Sequence, residues 1–572
     1  MSREPSIGRS AAASPQAALR ASATLVVVRD APAGIEVLLL QRAENSDDRY
    51  GGAWVFPGGV VDARDSDCRA VVGAGIDDAA ASARLGIESG GLDFYIAALR
   101  ECFEEAGLFF AAGADGALPA AGWLAARSDA MSTWRDGLHR GRVRLDELCR
   151  ELGLSLAVDR LVYFGHWLTP IGLRKRFDTR FFVAEAPAGQ TPAPDRTETV
   201  ELRWLAPAEA LARRGELRLV TPTVKTLEAI ARFDTVPALF EWARAPRLIV
   251  PSMPHMGTGS QGVRPVAPDE PAWAELRRID PEGRATGCYE IVPDVPVRLS
   301  PRIIRVSADN GSVMTGPGTN TYLVAGANDA WAVIDPGPLD EKHVQAVLDA
   351  APGPIRWIFA THTHPDHSPA TVLLKEHTGA RVHGRIADHA EWQDASFAPD
   401  EALAGGERFA LGAGSTLRAI RTPGHASNHI CYLLEEEKTL FTGDHVMQLT
   451  TVVINPPDGD MAAYLASLRE LLALDLEWLA PGHGFLMAQP RRAFEWIIEH
   501  RLKREAKVVA ALRDLGPAPV QALVELVYDD VPQRMHPMAL RSLNAHLFKL
   551  RDEARAVCQG ERWSMSSAPG AR

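Results

Sequence analysis

Apolar positions along this chain alternate between two periods. Over residues 22–61 three short runs, ATLVVVRD, IEVLLLQRA and AWVFPGGVVD, concentrate β-branched and aromatic residues between Gly, Pro and charged breaks, which predicts three strands. Residues 93–108 repeat apolar positions at helical spacing and predict a helix. The stretch between them, 63–91, is rich in Ala and Gly without a strong apolar face and reads as a surface insertion. LVYFGHWLTP, RFDTRFFVAEA and PAEALARR carry the strand and helix pattern on to about residue 244.

Pro and Gly then dominate (RLIVPSMPHMGTGSQGVRPVAPDEP), so residues 246–295 are expected to form a linker. Over 296–490 a second segment carries the near-continuous apolar runs of buried strands, among them TYLVAG, AWAVIDPG and IRWIFATH. Helical patterns follow over 491–560, and the ends, 1–20 and 561–572, read as flexible tails. The expected fold class is an α/β multidomain protein closed by a small helical segment, with the first α/β domain over 21–245.

Composition agrees with several cores: the chain has 572 residues, of which 46% are hydrophobic. A formal charge of -12 argues against broad electrostatic adhesion to nucleic acid or an anionic membrane and favours small-molecule substrates. Six scattered cysteines without a CxxC pair fit neither a disulfide framework nor a cysteine zinc site, so a reducing cytoplasm is expected. No apolar run reaches spanning length, and no membrane association is expected.

The densest chemistry lies in FATHTHPDHSPA, residues 359–370. A predicted strand runs into it, so His362 and His364, two apart, point the same way at its end. Asp366 and His367 stand where the chain turns and are expected to open a helix. Imidazole with carboxylate suits Zn2+ or a similar borderline ion. Three more candidates share the setting of a strand end with an adjacent glycine: His425 in RTPGHASNH, Asp444 in LFTGDHVM and His483 in LAPGHGF. Asp335, in AVIDPG, is placed to orient a ligand histidine from behind. His343, His377, His383, His389 and His429 read as core or surface residues.

The ordered set HxHxDH, GH, GDH, GHG resembles the metallo-β-lactamase superfamily. That resemblance implies an αβ/βα sandwich with two metal ions at one edge of the sheets, zinc first, with manganese or iron as alternatives. His362, His364 and His425 would hold the first ion, Asp366, His367 and His483 the second, and Asp444 would bridge them. Two close cations make a shared water acidic and polarise the bond under attack; Asp366 is the expected proton carrier. GPGTNTYLVAG, TPGHASNHICYLLEEEKTLFTGDHV and the tail DDVPQRMHPMALRSLNAHLFKLRDEARAV resemble the lactamase-beta-2-like subgroup. Its members carry a C-terminal winged-helix-like segment and include endoribonucleases, which makes single-stranded RNA a candidate substrate. Residues 491–555 hold twelve Lys and Arg against nine Asp and Glu, too small an excess to mark a nucleic-acid groove.

In ALRECFEEAGL, residues 98–108, Glu101, Glu104 and Glu105 share one helical face. A hard cation, Mg2+ or Mn2+, would turn their repulsion into binding and accept phosphate oxygens; Arg100 is placed to pair with a neighbouring acid. With Gly58 and Gly59 of WVFPGGVVD upstream, the pattern R-E-x-x-E-E-x-G-L resembles the Nudix box. The resemblance implies an α/β/α sandwich and hydrolysis of a diphosphate, with the three glutamates as metal ligands and Glu104 and Glu105 in catalysis. Asp65 stands where the box has its first Glu. The long spacer from there to Arg100 resembles the inserted-box subgroup that includes peroxisomal coenzyme A diphosphatases. Glu198 and Glu201 read as surface carboxylates.

The sequence thus predicts a bifunctional metal-dependent hydrolase. One site would take a nucleotide or coenzyme A diphosphate, the other an ester, thioester or phosphodiester. The alternative is an RNA-processing endoribonuclease whose Nudix part binds a regulatory nucleotide.

Overall fold

The computed structural model describes residues 17–44 and 51–566. Most of the two expected tails, 1–16 and 567–572, lies outside the described residues. The chain divides into two compact units, Met1–Met256 with Glu282–Arg284, and Gly257–Pro281 with Ala285–Arg572.

Strand Leu19–Ala31 is the spine of the first unit. It pairs antiparallel with Gly34–Arg42 and Gly58–Val60 and parallel with Arg176–Glu185. Successive side chains face opposite sides of a strand. Leu25 and Val27 therefore share a core with Tyr95, Leu99 and Phe103 of helix Gly91–Ala106. Val26 and Val28 instead meet Leu227, Ile230 and Leu239 of helices Thr221–Ile230 and Val236–Arg244. The result is an α/β/α sandwich, in which each such buried side chain contributes about 1.5–3 kcal/mol.

Residues 63–91 depart from the expected surface insertion. The 3-10 helix Ala63–Val71 and the helix Asp78–Leu85 send Cys68, Val71, Ala81 and Leu85 into the same core. Small residues allow this: a Cβ at Gly91 would collide with the backbone of Ser82.

In the second unit the strands from Val297–Arg298 to Glu401–Ala402 form a seven-stranded sheet in chain order, and those from Arg408–Gly412 to Met487–Ala488 a six-stranded one. Tyr322, Val324 and Phe359 of the first meet Leu417, Tyr432 and Phe441 of the second. Helices Glu341–Ala350 and Thr371–Thr378 cover the outer face of one sheet and Met461–Leu471 that of the other. This is an αβ/βα sandwich. Helices Pro490–Leu515, Val520–Val527 and His536–Asp552 then pack with a three-stranded sheet into a small separate core.

Two expectations need correction. Within the segment expected as a linker, helix Trp273–Ile279 is folded onto the second unit: buried Glu275 takes Arg305 through two bonds of 2.6 and 3.0 Å and the Leu486 amide at 2.8 Å. The surrounding Pro and Gly hide this anchor, because Arg305 lies in another element. Strand Arg562–Met565, assigned to the C-terminal tail, is the central strand of the three-stranded sheet. Its alternation buries Trp563 against Phe548, with ring centres 5.9 Å apart.

Candidate metal centre

In the second unit the ligand candidates gather at the ends of neighbouring strands. His362 Nε2 lies 2.9 Å from His364 Nδ1, and His425 Nε2 lies 3.1 Å from the same nitrogen. Asp444 Oδ1 is 3.3 Å from His367 Nε2 and 3.2 Å from His483 Nε2, while Asp366 Oδ2 is 3.4 Å from both. The other Asp444 oxygen faces His425 Nε2 at 3.8 Å. Two sets result, His362, His364 and His425, and Asp366, His367, Asp444 and His483, the ligand atoms in each within 4.8 Å of one another. Asp444 presents one oxygen to each. Asp366 and His367 do not open a helix as expected; they lie in turns ahead of helix Thr371–Thr378.

In four of the five histidines the second ring nitrogen has a partner that fixes how the ring points. His362 Nδ1 sits 3.0 Å from the Thr361 hydroxyl, and His367 Nδ1 2.9 Å from Asp335 Oδ2. His425 Nδ1 donates to the Val453 carbonyl at 2.8 Å and His483 Nδ1 to that of Gly318 at 3.2 Å. Asp335 also accepts the Thr361 amide at 2.7 Å and its hydroxyl at 2.8 Å, so one carboxylate aims both ends of the ligand loop. It does so from a left-handed backbone, φ 53°, a strained state for a non-glycine residue. Gly482 leaves room for the cluster: a Cβ there would stand 2.7 Å from Asp444 Oδ1 and 2.8 Å from His367 Cε1.

The residues fit a pair of cations. His367 Nε2, His483 Nε2 and Asp444 Oδ1 are buried and have no hydrogen-bond partner. An unpaired buried polar atom costs about 1–3 kcal/mol, and three of them facing one another are satisfied together by a cation. Burial holds the His362 imidazole far below its ordinary pKa and His364 at about 3, whereas against burial the charges of Asp366 and Asp444 push His367 well above it and Asp444 pushes His483 up to about 9, positive charge that a cation would replace.

Sequence reasoning missed several neighbours. His429, read as a core or surface residue, is buried and stacks on His362 with ring centres 5.0 Å apart. His445, next to Asp444, is buried against Tyr464 at 4.8 Å. Arg501, from helix Pro490–Leu515, donates to the Val452 carbonyl, one residue before the carbonyl that aims His425. His343 and His383 do sit in the core: His343 bonds the Thr321 hydroxyl at 2.8 Å and His383 stacks on Phe359.

The first unit holds a second set. Helix Gly91–Ala106 turns Glu101, Glu104 and Glu105 toward strand Gly58–Val60, where the Gly58 amide donates to Glu105 Oε2 at 2.9 Å. A Cβ at Gly59 would strike the Glu101 carboxylate and displace it, and one at Gly58 would collide with the backbone of Ala23 and Thr24. Arg100 is the hub. Its Nε and Nη2 reach Asp65 at 2.7 and 3.1 Å, Nη2 also the Val60 carbonyl at 2.9 Å, and Nη1 reaches Glu101 at 2.8 Å and Glu104 at 3.4 Å. Burial pushes the Glu101 carboxyl up to about 7 against the pull of Arg100, and burial with the charge of Glu101 pushes Glu105 well above its ordinary value. Glu198, assigned to the surface, is exposed, yet its charge acts on both Glu101 and Glu105. Glu201 pairs with Arg203 at 2.7 Å. Among the described residues the sets that close within 4.8 Å are the two of the second unit; here Arg100 stands between Glu101 and Glu104.

An αβ/βα sandwich with imidazole and carboxylate ligands at its sheet edge, preceded by an α/β/α sandwich with a carboxylate-bearing helix, defines a hydrolase. Residues 314–483 match the metallo-beta-lactamase superfamily, 77–230 the NUDT19 Nudix domain and 520–563 the beta-lactamase associated winged helix domain. The chain belongs to the metallo-β-lactamase superfamily, with a Nudix domain joined ahead of it. It is 32% identical over 298 residues to the lactamase-like protein vrtG of Penicillium aethiopicum, covering 50% of this chain and 91% of that protein. It is 30% identical over 278 residues to the beta-lactamase-like protein 2 homolog of Drosophila melanogaster, covering 46% and 92%. It is also 31% identical over 262 residues to an atrochrysone carboxyl ACP thioesterase of Aspergillus chevalieri, covering 44% and 80%. No helix among the described residues is long and apolar enough to cross a membrane.

Proposed function

We propose that the second unit hydrolyses an ester or thioester at a two-metal centre and that the first unit hydrolyses a diphosphate, as two separate activities of one chain. The observation that carries this reading is Asp444, with one carboxylate oxygen toward each ligand set. When bound, two divalent ions of the zinc, manganese or iron type would supply an acidic water and polarise the carbonyl under attack. His362, His364 and His425 would hold one ion, Asp366, His367 and His483 the other, and Asp444 both. Asp366, 26% exposed and so more open than His367, Asp444 or His483, can hold or pass a proton at its carboxylate. The thioester choice is supported by the name of the Aspergillus chevalieri relative. In the first unit Glu101, Glu104 and Glu105 would hold Mg2+ or Mn2+ against diphosphate oxygens.

The test is a substrate panel of thioesters, nucleotide sugars, coenzyme A esters and single-stranded RNA, run on wild type, Glu104→Gln and Asp444→Ala. Glu104→Gln should lose diphosphate cleavage alone and Asp444→Ala thioester cleavage alone. Loss of both activities in either variant contradicts two separate sites. RNA cleavage by wild type without thioester turnover favours the endoribonuclease alternative.

A further inference from the structure

Three loops that carry or aim the ligands of the second unit each hold a large apolar side chain out into solvent. Residues 310–318 end at Gly318, whose carbonyl accepts from His483, and expose Met314 to 46%. Residues 385–394 are fastened to the ligand loop at Thr363, whose hydroxyl donates to Gln393 and whose carbonyl accepts the Asp394 amide, both at 2.6 Å; the adjacent Trp392 is 57% exposed. Residues 444–453 start at Asp444 and end at the carbonyl that aims His425, and between them Leu449 is 73% exposed. Trp392 and Leu449 both sit at left-handed backbone angles, φ 67° and 61°. Bulky residues rarely adopt that conformation, and such strain gathers at functional sites.

We propose that Met314, Trp392 and Leu449 determine specificity at this site by receiving the apolar acyl group of an ester or thioester. The assignment rests on the ester-hydrolase reading above. In the reaction, water cleaves the acyl–sulfur bond and yields a carboxylate, a thiol and a proton. Charge favours this occupant over a nucleic acid strand. SVMTGPG (312–318) and VMQLTTVVINP (446–456) carry no charged residue, and RIADHAEWQD (385–394) carries three acids against one arginine, Arg385. Phosphate backbones are held by Lys and Arg, whereas apolar side chains around a few polar groups suit a neutral acyl chain. The Arg541 guanidinium lies over the Trp392 ring at 5.3 Å, which steadies the indole plane and leaves it exposed.

The probes are S-acetyl- and S-octanoyl-N-acetylcysteamine, thioesters without a diphosphate, offered to the full-length zinc-loaded protein. The expected kcat/KM for octanoyl exceeds that for acetyl by about tenfold or more. Trp392→Ala and Leu449→Ala should each lower the octanoyl-to-acetyl ratio by about tenfold, through the octanoyl KM, and Trp392→Phe should keep most of it. Equal turnover of the two thioesters by wild type, or a ratio unmoved in both alanine variants, overturns the assignment alone. Failure to hydrolyse either thioester overturns the ester reading and the assignment with it.

Discussion

Arg501 donates to the carbonyl of Val452, and the next carbonyl along the chain, that of Val453, accepts the Nδ1 proton of His425. A helical residue more than seventy positions downstream of a ligand candidate therefore fixes the backbone that aims it. Outer partners of ligand histidines typically change metal affinity by about 10–100-fold. Arg501→Leu should weaken zinc retention by about tenfold in chelator competition while leaving diphosphate hydrolysis untouched. Unchanged retention would reduce Arg501 to a packing role.

Asp335 holds three donors at once, the Thr361 amide, the Thr361 hydroxyl and His367 Nδ1. Asp335→Ala leaves all three facing a void. Breaking a buried hydrogen-bonded charge costs about 3–5 kcal/mol, so the second unit should unfold at markedly lower denaturant and bind zinc more weakly. Asp335→Asn, which keeps the shape but not the charge, should recover part of the stability and less of the affinity. Equal behaviour of the two variants would mean that the side chain's shape contributes nothing without its charge, and wild-type stability and affinity in Asp335→Asn would mean that the charge is irrelevant.

Asp65 reaches Arg100 across 35 residues of sequence, and its side chain is fully buried. Asp65→Ala strands a buried guanidinium between Glu101 and Glu104. Diphosphate hydrolysis should fall at least tenfold while thioester hydrolysis persists, and Asp65→Glu, the residue of the usual box, should restore much of it. Full activity in Asp65→Ala would show that Arg100 needs no partner there.

Asp195 carries a pH-dependent contribution to the first unit. Burial opposes its ionisation, but the hydroxyls of Thr197 and Thr199 and the amides of Thr199 and Glu198 donate to it and hold it at about 2 against an ordinary 3.8. A depressed carboxyl stabilises the folded state above its unfolded pKa and loses that contribution as the pH falls through the folded one. At about 1.4 kcal/mol per pH unit, the contribution is about 2 kcal/mol. Hydrogen exchange in strand Thr199–Leu205 should accelerate as the pH is lowered from about 4 toward 2, beyond the intrinsic trend, and Asp195→Asn should abolish that acceleration. Identical pH profiles for wild type and variant would contradict it.

Both sandwiches were legible through the family resemblance, and the seven candidate positions of the second unit through local pattern: His362, His364, Asp366 and His367 follow a buried-strand run into a turn, and His425, Asp444 and His483 each stand beside a glycine at a strand end. Asp335 was legible as an acid directly after the buried-strand run of AVIDPG. Arg501, Trp392 and Leu449 were not, since each acts through a contact or a backbone angle that no local pattern encodes. Glu275 lay hidden among Pro and Gly because its partner, Arg305, lies in another element. The helices of residues 63–91 were obscured by small side chains, which bury well yet give a faint apolar signal.

If His362, His364, His425, Asp366, His367, His483 and Asp444 close around two cations, zinc-loaded protein dialysed against metal-free buffer will show it in elemental analysis. About two zinc ions should be retained per wild-type chain and about one in each of His425→Ala and His483→Ala. Retention of none by wild type, or equal retention by all three proteins, would contradict a two-cation centre.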